Sequence, residues 1–303
     1  MDLSSFEKIV LIGASSGWGA KRRETEFGPS FMYEKDLTGH LAVRSTLPVS
    51  WKCVPTPISF VGQHVPVGKA TLAMITSHAQ NVAKVAHRAT HENCFPCVIG
   101  GDHSIAIGTW QGISDALDAR GAFGLIWFDA HMDAHTPQTS PSQAYHGMPV
   151  ATLLGYGEDA LIHITDPTTP TLSPQHVVLM GVRSFEAGEE ALLTRLGVRI
   201  YFMEEIRTRG FEACLQEAIA RVQAGTKGFG LSIDLDGFDP TFAPGVGSPE
   251  AGGLYPDEVV GALHHVKGAK GFCGLEIMEF NPTRDRDNMT SNLIESLVFA
   301  LLP

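Results

Sequence analysis

Short, mostly apolar runs recur along the chain, at 8–13, 97–100, 123–129, 176–181, 198–202, 229–234 and 274–278. A strand with one wet face would alternate apolar and polar residues. These runs do not, so they read as strands buried on both faces. Between them lie helix-length segments at 68–91, 105–119, 186–196, 211–224, 256–266 and 290–302. This alternation predicts a three-layer α/β/α fold around a central, mostly parallel sheet. Ligands of such sheets bind beyond the carboxyl ends of the strands. Two segments, 14–65 and 135–149, read as long loops. No linker, low-complexity run or internal repeat divides the chain, so 1–303 is expected to be a single domain.

Composition removes several function classes. The net charge is −11 with 22 Lys and Arg in all, and the basic residues are scattered, so nucleic acid is not an expected partner. No apolar run approaches the ~18 residues that span a bilayer, so no membrane role is expected. The opening residues lack a basic region followed by a long apolar one, and five cysteines do not read as a disulfide framework. Both points favour a reducing, cytoplasmic setting.

The chemistry is concentrated just past three strand ends. The run at 123–128 leads into Asp129-Ala130-His131-Met132-Asp133-Ala134-His135. The run ending at Ile233 carries Asp234-Leu235-Asp236, whose carboxylates share one face of an extended chain. Two carboxylates there repel and lose hydration, and bound cations are the simplest compensation. Val98-Ile99-Gly100-Gly101-Asp102-His103 adds an imidazole after a third strand. Alone, each segment is more often structural than ligating. Together they offer His103, Asp129, His131, Asp133, Asp234 and Asp236 as metal ligands. Four carboxylates and two imidazoles suit Mn²⁺ or a similar ion rather than a cysteine-rich zinc site, and so many carboxylates fit two ions better than one.

These segments, with Gly274-Leu275-Glu276-Ile277-Met278-Glu279-Phe280-Asn281-Pro282 and Asp285-x-x-Asn288-x-Thr290, resemble the signatures of the ureohydrolase family of arginases and agmatinases. The likeness covers most of the chain from about residue 96 onward. It implies two Mn²⁺ ions, one on His103, Asp129, Asp133 and Asp234, the other on Asp129, His131, Asp234 and Asp236. It implies a water activated against a small guanidino substrate, giving urea and an amine. Asp133, His146 and Glu279 are the implied catalytic residues: Glu279 pairs with the guanidinium, and His146 shuttles a proton. A homo-oligomer, trimer or hexamer, is implied as well.

Within the family, the loop at 135–147 looks more like an arginase than an agmatinase. Ser140 and Ser142 align with hydroxyls that contact the substrate carboxylate there, and Glu186 with a carboxylate facing the α-amino group. The sequence also departs from arginases: His135 replaces an Asn, Gln143-Ala144 replaces Gly-Asn, and Ser184 replaces an Asp. His135, Ser140, Ser142 and Glu186 are therefore the candidate substrate-binding residues. L-arginine is the expected substrate, with agmatinase, guanidino-acid hydrolase and formimidoylglutamase activities as alternatives. A single-metal deacetylase-like enzyme and a non-catalytic binding or regulatory homologue are the rivals. The paired Asp234 and Asp236 argue against the first, and the complete ligand set against the second. Gly13-Ala14-Ser15-Ser16-Gly17-Trp18-Gly19 resembles a dinucleotide-binding turn, but the charged residues and Pro29 beyond it do not read as the required helix.

Overall fold

The computed structural model describes residues 3–56, 68–165 and 168–303. Their strands are β1 (Lys8–Ala14), β2 (Val49–Val54), β3 (Cys94–Gly100), β4 (Phe123–Phe128), β5 (Val177–Val182), β6 (Arg199–Phe202), β7 (Gly228–Asp234) and β8 (Phe272–Met278). They form one eight-stranded sheet in the order β2-β1-β3-β8-β7-β4-β5-β6, and every pair is parallel. The helices are α1 (Gly28–Glu34), α2 (Leu37–Arg44), α3 (Leu72–His91), α4 (Ala106–Ala116), α5 (Pro149–Leu153), α6 (Asp159–Ile162), α7 (Ala187–Leu196), α8 (Met203–Arg209), α9 (Phe211–Gln223), α10 (Pro256–Ala262), α11 (His264–Lys267) and α12 (Met289–Leu301). Every residue of β3, β4, β7 and β8 is buried, as their largely apolar runs require of strands covered on both faces. The fold is the three-layer α/β/α arrangement that the alternation predicts.

Strand order is what positions the site. After β3 the chain crosses to β4 and builds outward through β5 and β6. It then returns to fill the gap with β7 and β8. The carboxyl ends of β3, β8, β7 and β4 thus stand side by side at the sheet's centre. β3, β8 and β4 lead into His103, Glu279 and Asp129, and β7 ends on Asp234.

The segment at 14–65 differs from expectation. It is not a long loop: it contains α1, α2 and the edge strand β2, while its stretch at 57–65 lies outside the described residues. Pro29 sits in the first turn of α1, where its missing N–H costs nothing. Asp36 caps α2 by accepting from Gly39 N. β2 is only partly buried, so it lacks the apolar run of the inner strands. The Gly-rich turn after β1 opens no helix itself; a 3-10 turn at Glu24–Phe27 separates it from α1. The Gly-rich turn folds back on Asp102, whose carboxylate accepts from Gly19 N at 3.0 Å. The five cysteines are free, and burial pushes the Cys97 thiol up. Among the described residues no helix is long and apolar enough to cross a membrane.

Candidate metal centre

Each strand end delivers its side chains through a short, fixed turn. Asp102 caps a 3-10 turn at His103–Ile105, and Asp234 caps another at Leu235–Gly237 by accepting from Asp236 N at 2.8 Å. Asp129 accepts from His131 N at 2.7 Å and from Trp127 Nε1 at 2.9 Å. The Trp127 indole stacks on the His103 ring at 4.0 Å. Asp133 and Glu279 adopt left-handed backbone, with φ of 48° and 64°. Non-glycine residues held there are strained, and such strain clusters at functional sites.

The six candidate ligands converge into two groups. In the first, His103 Nδ1 lies 3.4 Å from Asp129 Oδ2, 3.3 Å from Asp133 Oδ2 and 2.9 Å from Asp234 Oδ2. In the second, His131 Nδ1 lies 3.3 Å from both Asp129 Oδ1 and Asp236 Oδ2. Asp129 therefore presents one oxygen to each histidine. Asp234 stands with the first group, and its Oδ1 is taken up by Asp236 N.

The donor set fits divalent ions. Burial and the Asp129 charge push the Asp133 carboxyl up to about 7. Burial, with the charges of Asp236 and Asp129, raises Asp234 well above the carboxylate range, and burial raises Asp236. Burial opposes the imidazolium of His103, yet hydrogen bonds to Asp129, Asp133 and Asp234 hold its pKa well above the usual value. His131 is likewise raised against burial by Asp236 and Asp129. Asp129 is lowered despite its burial because both histidines face it. Among the described residues no Lys or Arg side chain reaches these carboxylate oxygens. The ligand spacings match the edges of a coordination polyhedron with bonds of ~2.0–2.2 Å.

Three of the four substrate candidates line a cleft over this cluster. His135, Ser142 and Glu186 face a cavity of about 130 Å³ together with Asp133, Asp234 and Asp236. A second cavity of about 240 Å³ shares Ser142 and His146 with it and reaches Glu279. His146 Nδ1 is 3.1 Å from Glu279 Oε1, which also accepts from His103 N at 2.9 Å. Burial opposes the His146 imidazolium, but the Glu279 carboxylate holds its pKa up at about 9. Burial raises Glu279, but the hydrogen bond and charge of His146, together with the His103 N–H and the His103 charge, bring it below the usual value. Ser140 lines neither cavity. Its hydroxyl accepts from Gln143 N at 2.9 Å and so fixes the loop from inside.

The sequence profile of the Arginase family matches residues 7–302. The chain belongs to this family. It is 43% identical to the arginase of Brevibacillus brevis over 96% of each sequence. The crystal structure of Bacillus subtilis arginase superposes with a TM-score of 0.88 at 33% identity, covering 97% of this chain and 98% of that one. Entamoeba histolytica arginase in complex with L-ornithine gives 0.86 at 27% identity, covering 98% of each. Membership makes the chain a hydrolase of amidine C–N bonds.

Against this family background, four side chains that the sequence reading did not single out as site residues join the candidate centre. His103 Nε2 is 2.9 Å from Ser232 Oγ, and Ser232 donates to Glu276 Oε1 at 2.7 Å. Trp110 Nε1 donates to the same oxygen at 2.5 Å. Ser232 and Glu276 are register partners on β7 and β8, so their contact follows from strand pairing. The visible signal was a Glu inside an apolar strand run. The fourth is Glu189, whose carboxylate accepts from Glu186 N and Ala134 N. Its signal was the three-residue spacing of a capping box.

Proposed function

We propose that this chain hydrolyses L-arginine to L-ornithine and urea with two Mn²⁺ ions. The carrying observation is Asp129, which offers one carboxylate oxygen to each of two histidine-centred groups. One ion would be held by His103, Asp129, Asp133 and Asp234, and the other by Asp129, His131 and Asp236, with Asp234 shared. When bound, such a pair supplies the charge that lowers the pKa of water to ~7 and so provides a nucleophile at neutral pH. Residues 1–303 are read as one domain, because β3 pairs with β1 from one end of the chain and β8 from the other.

The chain's own residues do the rest. Glu279 stays ionised and pairs with the guanidinium through charge-assisted hydrogen bonds. His146, protonated at neutral pH, stands beside it and gives its proton to the departing nitrogen. The reaction turns a guanidinium and water into urea and an alkylammonium. Both water protons end on the leaving nitrogen, and we assign their transfer to Asp133 and His146. Ser142, His135 and Glu186 meet the amino-acid end of the substrate. The Entamoeba histolytica relative, solved with L-ornithine, supports that product.

One observation favours a second reading. Glu186 Oε2 is tied to His135 Nε2 at 2.9 Å, so its carboxylate is already paired before an α-ammonium arrives. A guanidino acid without that ammonium would suit such a pocket. The deciding experiment is urea release by the Mn²⁺-loaded protein from L-arginine, agmatine and 4-guanidinobutyrate at equal concentration. Preference for L-arginine is the expected result. Preference for another compound keeps the chemistry and changes the substrate, and no urea from any of them contradicts the reading.

A further inference from the structure

The cleft is divided by charge. Its branch of about 130 Å³ is lined by Asp133, Glu186, Glu189, Asp234 and Asp236, with no Lys or Arg among its lining residues. Its branch of about 240 Å³ carries Lys21 and Arg22 beside one carboxylate, Glu279. Ser142, His146 and Ser248 line both branches and so form the wall between them. Cations are the scarcer charge in this chain, at 22 Lys and Arg against 33 Asp and Glu.

The two cations rise from a fixed base. Gly19 N donates to Asp102 Oδ2 at 3.0 Å, and Gly19 O accepts from His146 N at 3.1 Å. The backbone two residues before Lys21 is thus joined directly to the loop that carries Ser142 and His146. Both side chains are exposed, and among the described residues neither has an ion-pair or hydrogen-bond partner. Arg23 beside them differs, since it is tied to Glu26 and lies over the Trp18 ring. Thr25, buried against the same branch, has a hydroxyl with no partner among the described residues. The basic branch therefore holds two uncommitted charges and an unused donor.

A free α-amino acid carries an ammonium and a carboxylate on one carbon. Held at the wall beside Ser142, it can turn the ammonium to the acidic branch and the carboxylate to the basic one. Turned the other way, the carboxylate would stand among Asp133, Glu186 and Glu189, and the repulsion between like charges opposes that placement.

We propose that Lys21 and Arg22 are specificity-determining residues that read the carboxylate of the substrate, so that the cleft favours guanidino compounds with an anionic group on the tail. The proposal rests on the amidine-hydrolase reading of the cleft. Exposed charge pairs are screened by water, and each contributes at most roughly fivefold to binding.

Urea release by the Mn²⁺-loaded protein is compared for L-arginine and agmatine, which differ only in the carboxylate. The proteins are the wild type, the double variant Lys21→Gln with Arg22→Gln, and the charge-keeping pair Lys21→Arg with Arg22→Lys. The ratio of kcat/KM for L-arginine to that for agmatine is expected to fall about threefold to tenfold in the double variant, through KM for L-arginine. The charge-keeping pair should stay with the wild type. If agmatine is not turned over, its competitive inhibition constant takes the place of its KM. Calorimetry with L-ornithine makes the comparison without turnover, and the double variant should lose affinity by a similar factor. The proposal is overturned if the double variant keeps the wild-type ratio, or if KM rises alike for both substrates. It is also overturned if the charge-keeping pair loses as much as the double variant, or if L-ornithine binding is absent or unaffected. No urea from either substrate, with L-ornithine binding weakened in the double variant, would remove the hydrolytic reading and keep the carboxylate site.

Discussion

At the residue scale, the cleft combines groups that ordinary solution chemistry keeps apart. Burial is the leading influence on Asp102, Asp133 and Glu189, and it pushes their carboxyls up to about 6, 7 and 8. Each folded-state value lies above that of the unfolded chain. The folded protein therefore holds protons that the unfolded chain has released, and stability falls as pH rises. Their contribution is complete below the ordinary carboxylate range of about 4 and is lost progressively through pH 6 to 8. Metal-stripped protein is accordingly expected to melt at a lower temperature at pH 8 than at pH 5, with Mn²⁺ reversing the loss at pH 8. A melting temperature that rises between pH 5 and 8 without metal would refute this. Some site residues were legible because their spacing was unusual: Asp129, His131 and Asp133 alternate past a strand end, as do Asp234 and Asp236. Ser140 was placed by resemblance, yet its hydroxyl bonds the loop backbone. Sequence alignment gives a position along the loop, not the side on which a hydroxyl faces.

Among elements, the inner strands were the most legible and the edge the least. β4 carries an unbroken apolar run and β7 a largely apolar one because helices cover both their faces, whereas β2 at the edge is half exposed and mixed in composition. α1 and α2 hid in the same charged segment, since short helices owe their stability to packing more than to propensity. Pairing between elements was invisible in the sequence, and it creates the Ser232–Glu276 contact behind His103. Gly230 on β7 makes room for this arrangement: a Cβ there would stand 2.0 Å from the Trp110 ring, which holds Glu276. Gly230→Ala is predicted to lower the melting temperature by several degrees, from an overpacking cost of ~1–3 kcal/mol. It should also weaken Mn²⁺ binding, because Trp110 cannot shift without releasing Glu276. A variant with unchanged melting and unchanged metal affinity would show that α4 adjusts freely over the sheet.

For the whole molecule, one topological choice explains why a parallel sheet yields this centre. The late strands β7 and β8 insert between β3 and β4, so residues far apart in the chain, His103, Asp129, Asp234 and Glu279, emerge from four adjacent strand ends. The alternation of strands and helices predicted the layers but not this order. Order depends on which crossovers pack, and apolar runs carry no information about it. The central claim is that this convergence creates two ion sites joined through Asp129. Its most direct test is the electron paramagnetic resonance spectrum of the Mn²⁺-loaded protein, recorded alongside the metal content. Two ions per chain with the signature of an exchange-coupled pair, lost in Asp129→Ala, is the predicted result. One ion per chain, or two with the spectrum of isolated Mn²⁺, would contradict it.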